Sequence, residues 1–320
     1  MFSGFTTADF DAYQQKKWKS NVFNRERMEV KQKLTAFGRE LQAIMVAPDG
    51  SPLAVEASVE HPALWNHKQV EAQHLYFSRN EGARKELDLI IDRGKSMASM
   101  IDDPTPLRNH LFLAVTLTEQ AIELSLKLHP DARVDRENLE RKCGDHFEAG
   151  KLVHLLHSLD PSFRAGITPD TLPVAELDEG KLLELAISLG KPATTPAPLT
   201  LSAGPQRLFY VGRAIARADA LAAGAGLVDT ARASLQSLLP VYRFIAWSRD
   251  NDFLAMRETM QKEKQQKRQK GLAKNDGVRI IRGMFAGKSG VVQEVDAKGG
   301  LRVLVGKVAV KLGADDVAKA

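Results

Sequence analysis

The chain has 320 residues, 43% hydrophobic and 27% charged, with 45 Lys and Arg against 40 Asp and Glu. That length is enough for two or three cores. No apolar run of about 18 residues is present to span a bilayer, and the single cysteine, Cys143, excludes an internal disulfide or a multi-thiolate zinc site.

The opening segment, MFSGFTTADFDAYQQKKWK, lacks the basic start and apolar middle of a signal peptide, so the expectation is a cytoplasmic protein without a membrane partner. Thr6, three residues before Asp9, has the spacing of a helix cap. Phe10, Tyr13, Val30, Leu34, Phe37, Leu41 and Ile44 then recur at helical steps over parts of 8–46, with a break near 21–24. PDGSP at 48–52 ends that run in turn chemistry.

LAVEASVE (53–60) and AQHLYFSR (72–79) read as strands, and 80–101 as a helix capped by Asn80. Ile122, Leu124, Leu126 and Leu128 alternate with Glu123, Ser125, Lys127 and His129, which predicts a strand with one apolar and one polar face. LFLAVTL (111–117) precedes it, and TEQ between them is short enough for a hairpin. Residues 134–160 return to helix, with Asp135 as the expected cap. Residues 1–190 thus read as an α+β domain of unknown function, an antiparallel sheet with helices on one face.

Four prolines within 191–205 predict a linker or extended crossover. Residues 206–256 read as a helical segment in which Pro240 kinks or ends a helix. Residues 257–274 continue as a basic Lys/Gln-rich helical extension that has lost its apolar side. Charge changes here: from Arg257 onward 15 Lys and Arg face seven Asp and Glu, so a basic end joins a near-neutral body and suggests an anionic partner.

From 275 the period shortens to that of strands. VRIIRG, GVVQEV, LRVLV and VAVKL each place apolar residues on alternate positions, joined by Gly-containing turns, which predicts a small barrel or curled sheet over 275–320. Gly287, Lys288 and Ser289 mimic part of a nucleotide-binding loop. Its first glycine is replaced by Arg282, and strand rather than helix follows, so a phosphate cradle is not expected.

Val278, Ile280, Gly283, Phe285, Gly287, Gly290, Val292, Val295 and Asp296, with valine-rich strands ending at Asp315, Asp316 and Val317, resemble a KOW domain. This is the small Src-homology-3-like barrel of NusG-type transcription factors and several ribosomal proteins. The resemblance covers 275–317 and leaves the first 270 residues unassigned. It implies binding to RNA, the ribosome or the transcription machinery without catalysis. NusG-type proteins carry a longer segment with an exposed aromatic between their last strands, where this chain has only Gly306 and Lys307, so a NusG-like choice of partner does not carry over.

The expected contact set is therefore Phe285 on its loop, Gly283, Gly287 and Gly290 around it, and the cations Arg279, Arg282 and Lys288. The arm adds Lys262, Lys264, Lys267, Arg268, Lys270 and Lys274. A solvated helical spacer is the competing account of the arm. Two further expectations compete with RNA binding: a protein-docking adaptor acting through the barrel loops, and a nucleic-acid-acting enzyme anchored by the barrel. No catalytic residue, cofactor or metal is expected. Cys143, His146, His154 and His157 lack a carboxylate partner at ligand spacing; Asp250 and Asp252 lack the rest of a calcium loop and suit a helix cap better. Trp65, His67, Lys68 and His74 form the polar–aromatic cluster that an enzyme would use first, although surface and core residues flanking a strand account for it more simply.

Overall fold

Seven antiparallel strands frame the first of two units, which divide the chain between Asp252 and Phe253. The computed structural model describes residues 2–47, 50–62, 68–91, 109–191, 207–253, 274–283, 285–295, 300–306, 308–313 and 316–319. The strands are β1 (Ala54–Ala57), β2 (Ala72–Ser78), β3 (Phe112–Thr118), β4 (Ala121–Leu128), β5 (Arg164–Ile167), β6 (Asp170–Pro173) and β7 (Phe209–Ala216). Their order is β1-β2-β3-β4-β7-β5-β6. The helices of this unit are α1 (Thr7–Asp11), α2 (Asn24–Leu41), α3 (Glu81–Ile91), α4 (Arg133–Cys143), α5 (His146–His157), α6 (Glu179–Gly190), α7 (Arg217–Ala223) and α8 (Leu227–Ile245).

The apolar alternation puts Leu113, Val115 and Leu117 of β3, Ile122, Leu124, Leu126 and Leu128 of β4, and Phe209 and Val211 of β7 into one core. Against them pack Val30, Leu34, Phe37 and Leu41 from α2 and Leu235, Leu238 and Tyr242 from α8. Each such buried side chain contributes about 1.5–3 kcal/mol. Gly38 lets α2 approach β1 and β2, since a Cβ there would stand 2.9 Å from Leu75 and Val55 methyls. The α+β class with helices against an antiparallel sheet is as the periodicity predicts.

Local signals also hold. The Asp9 carboxylate accepts from the Thr6 backbone N–H at 2.6 Å and its hydroxyl at 2.9 Å. Asn80 Oδ1 accepts from the Ala83 N–H at 2.9 Å and starts α3. Between β3 and β4 the Thr118 hydroxyl accepts from the Ala121 N–H at 3.1 Å and closes the hairpin.

Two expectations are corrected, and of the two outcomes expected at Pro240 one is excluded. Residues 206–256 are not a helical segment: Phe209–Ala216 is β7, inserted between β4 and β5, and helix begins only at Arg217. The boundary at 190 therefore falls inside one unit with one core. The difference arises because FYVGRAIA, buried on both faces in its first half, has no polar alternation and runs straight into α7. Pro240 does not end α8, which continues to Ile245. Pro240 and Gln236, whose carbonyl loses its helical donor, are both exposed, so water can replace the missing N–H. Asp135 is no cap; it is fully buried in the first turn of α4, and the true cap in this region is Asp145, accepting from the Phe147 and Glu148 N–H groups.

Asp135 joins distant parts of the chain. Its two oxygens accept from Arg79 Nη2 at 2.5 Å and Nη1 at 2.7 Å, from the Leu111 N–H at 2.8 Å and from the Trp247 N–H at 2.8 Å. Arg79 also donates to the Trp247 carbonyl at 2.9 Å. Burial pushes the Asp135 carboxyl upward, but Arg79 and the two backbone donors outweigh it and hold it below the ordinary carboxylate range.

The second unit, Phe253–Ala320, contains β8 (Gly277–Ile280), β9 (Ser289–Val295), β10 (Gly300–Val305), β11 (Val308–Gly313) and β12 (Val317–Lys319). All pairs are antiparallel, in the order β11-β10-β9-β8-β12. The four expected strands are present, and a fifth returns beside the first. Val278, Ile280, Val292, Leu301, Val303 and Val317 form its core.

Candidate nucleic-acid interface

On the second unit, alternation turns Val278 and Ile280 inward and leaves Arg279 outward. Arg302 and Lys311 face each other across β10 and β11, and both are exposed. Lys274, Arg282 and Lys288 are exposed in the flanking turns. Thus the expected cations Lys274, Arg279, Arg282 and Lys288 are all presented to solvent. Arg302 and Lys311 were not singled out from the sequence, though each stands between two apolar residues, Leu301 and Val303 or Val310 and Leu312, and that alternation was the available signal. Lys262, Lys264, Lys267, Arg268 and Lys270 lie outside the described residues.

The glycine loop is rearranged relative to expectation. Its ends are tied by Ile280, whose N–H donates to the Lys288 carbonyl at 2.8 Å and whose carbonyl accepts from the Gly287 N–H at 2.7 Å. Gly283 and Gly287 adopt φ of 86° and 87°, a left-handed backbone that glycine occupies without strain. Phe285 is not displayed; it is half-buried and packs against the core of the second unit. Gly290 does not open the backbone to a ligand either, because a Cβ there would stand 2.5 Å from Val303 Cγ1 and 2.7 Å from the Leu304 carbonyl. Two glycines therefore turn the chain, one admits a neighbouring strand, and the aromatic closes the core.

The histidines near Cys143 do not converge. The α4–α5 break at Gly144 and Asp145 destroys the single face a continuous helix would have. Cys143 is buried, and burial pushes its thiol up to about 12. His146, His154 and His157 are exposed, His146 pairing with Glu179 and His157 with the Leu177 carbonyl at 2.8 Å. Among the described residues no group of three His, Cys, Asp or Glu is placed to hold a metal. Ser248, not Asp250 or Asp252, caps the Arg249–Asn251 turn, its hydroxyl accepting from the Asn251 N–H at 3.1 Å.

Trp65 and His67 lie outside the described residues. Lys68 pairs with Glu60 at 2.9 Å, and His74 belongs to a different assembly, on the sheet face turned away from the helices. There the registers align His74, Thr116 and Glu123 in one row, Tyr76, Ala114, Ser125 and Gly212 in the next, and Phe112, Lys127 and Tyr210 in a third. His74 Nδ1 stands 3.0 Å from Thr116 Oγ1, and its ring stacks on Tyr76 with centroids 5.5 Å apart and 16° between planes. Phe112 meets Tyr76 edge-on at 5.3 Å.

Beside these rings, Glu123 Oε1 accepts from Ser125 Oγ at 2.9 Å and pairs with Lys127 Nζ at 2.7 Å. Tyr210 also hydrogen-bonds Glu123, and Gly212 leaves the space that its hydroxyl crosses. Burial, with Lys127 and Lys68 adding repulsion, pushes His74 down to about 3, so its ring is neutral. Burial and Glu123 raise the Tyr210 phenol. Burial, with Glu60 and Glu56, raises that of Tyr76. The sequence showed the polar alternation of β4 but not its partners, which come from β2, β3 and the unforeseen β7.

In comparison with known proteins, no family model matches the chain, and no curated protein sequence matches it. Among the described residues, no helix is long and apolar enough to cross a membrane.

Proposed function

We propose that the protein binds RNA or a ribonucleoprotein of transcription or translation through its second unit, as a non-enzymatic factor. The observation that carries this reading is the exposed set Lys274, Arg279, Arg282, Lys288, Arg302 and Lys311 on a unit of five short strands whose interior is filled by its own core. Such a unit works through its surface, and its surface is cationic. The basic stretch at 257–274 immediately precedes the first of these strands in the sequence. Likeness of 275–317 to a KOW domain supports the same reading, with phosphate contacts supplying affinity and no stacking role for Phe285.

The test is binding of single- and double-stranded RNA to the full chain across a salt series. Engagement of four phosphates gives a log–log slope of roughly −3 to −4. Replacing Arg279, Arg302 and Lys311 together by Gln should flatten that slope by about 2–3. Salt-independent binding, or a slope unchanged by the triple replacement, would sink the proposal.

A further inference from the structure

The far face of the first sheet carries more buried polarity than a solvated outer surface needs. Ser125 is fully buried and Thr116 is 5% exposed, while Glu123 and Lys127 side chains keep only 28% and 14% of their exposure. Isolating charges from water is costly, and apolar residues of similar volume would serve stability equally well. A paired carboxylate and ammonium, two hydroxyls and the Tyr210 phenol beside a stacked aromatic pair therefore call for a role outside the fold.

From this juxtaposition we infer that the His74–Tyr76 stack and the Glu123–Lys127–Ser125 edge beside it form a binding site for a planar, uncharged heteroaromatic ring, of which an unpaired nucleobase is the fitting class. His74 and Tyr76 already lie nearly parallel, so a third ring extends the stack. Phe112 stands perpendicular to the Tyr76 ring and braces it. About one strand spacing from Thr116, at about 4.8 Å, begins a line of polar groups, the carboxylate of Glu123, the hydroxyl of Ser125 and the ammonium of Lys127, which offers both acceptor and donors to the edge of a base. Glu123 pairs with Lys127 and Lys68 with Glu60, the neutral His74 adds no charge, and Glu56, opposite Tyr76 on β1, adds an exposed carboxylate. That balance favours the base over the phosphate of a nucleotide.

The site is separate from the cationic surface proposed above, and nucleosides distinguish them because they carry no phosphate. Adenosine, guanosine, cytidine and uridine are titrated into the full chain by calorimetry and saturation-transfer NMR, with ribose as control. At least one nucleoside should bind, ribose should not, and Tyr76→Leu should weaken binding roughly tenfold. Glu123→Gln, which keeps the side chain's shape, should change the ranking of the four bases. Nucleosides binding no better than ribose, or an unchanged affinity in folded Tyr76→Leu, overturns the inference. If Tyr76→Leu does not fold, Glu123→Gln decides alone, an unchanged ranking overturning the site. RNA that binds with the expected salt slope while nucleosides fail would sink this site and leave the proposed function standing.

Discussion

Asp135 and His74 show opposite uses of a buried ionisable group. Asp135 stays charged because four hydrogen bonds, two from Arg79 and two from backbone N–H groups, replace its water. Asp135→Ala leaves Arg79 buried without its carboxylate and should lower stability by about 3–5 kcal/mol, measured by urea unfolding. The Asp135 carboxyl is held low in the fold, so its contribution is complete above the unfolded carboxylate range and is lost as pH falls through the folded value. Arg79→Met removes the main depressing charge and should move that acid loss to higher pH. His74 stays neutral with a folded value of about 3, below its unfolded value near 6.5. The unfolded chain then binds more protons between those values, and stability falls as pH drops through that window. His74→Gln should flatten the pH dependence between 7 and 5 relative to the parent, read from urea midpoints at each pH.

The elements that could be read from the chain are those whose instructions are local. The β3–β4 hairpin was legible because Ile122 to Leu128 alternate and Thr118 supplies turn chemistry within three residues. The starts of α1 and α3 were legible for the same reason, at Thr6 with Asp9 and at Asn80. β7 was not, because its burial on both faces depends on β4 and β5, which lie far from it in sequence. The candidate contact set divides the same way: alternation placed Arg279 outward, whereas the inward turn of Phe285 depends on closure of the whole loop. Glycines in β9 and its loop can be separated by substitution. Gly290→Ala drives a methyl into β10 and should cost roughly 1–3 kcal/mol in the second unit's stability. Gly283→Ala meets no neighbour and costs only the backbone strain of its positive φ, about 1–2 kcal/mol, which Gly283→Asn should largely recover. Thermal unfolding of the three variants checks the order.

Each unit owns a hydrophobic core, and the two differ greatly in size. Among the described residues six buried side chains form the core cluster of the second unit, so its transition in urea should come at lower concentration and with the smaller slope, since the slope follows the area exposed on unfolding. A chain ending at Asp252 should keep the main transition unchanged, as observed by circular dichroism and tryptophan fluorescence. The same shortened chain should lose the salt-dependent RNA affinity and retain nucleoside binding, which assigns the two activities to their units.

The insertion of β7 between β4 and β5 also has a consequence for synthesis. Residues 121–128 and 164–167 leave the ribosome before the strand that joins them, so each waits with one open edge. At about 5–20 residues per second the wait lasts several seconds, and an unpaired edge is the part of a sheet most prone to recruit another chain. Nascent chains halted near residue 190 should therefore depend on chaperones and aggregate when released, whereas those extended past Ala216 should close the sheet and escape.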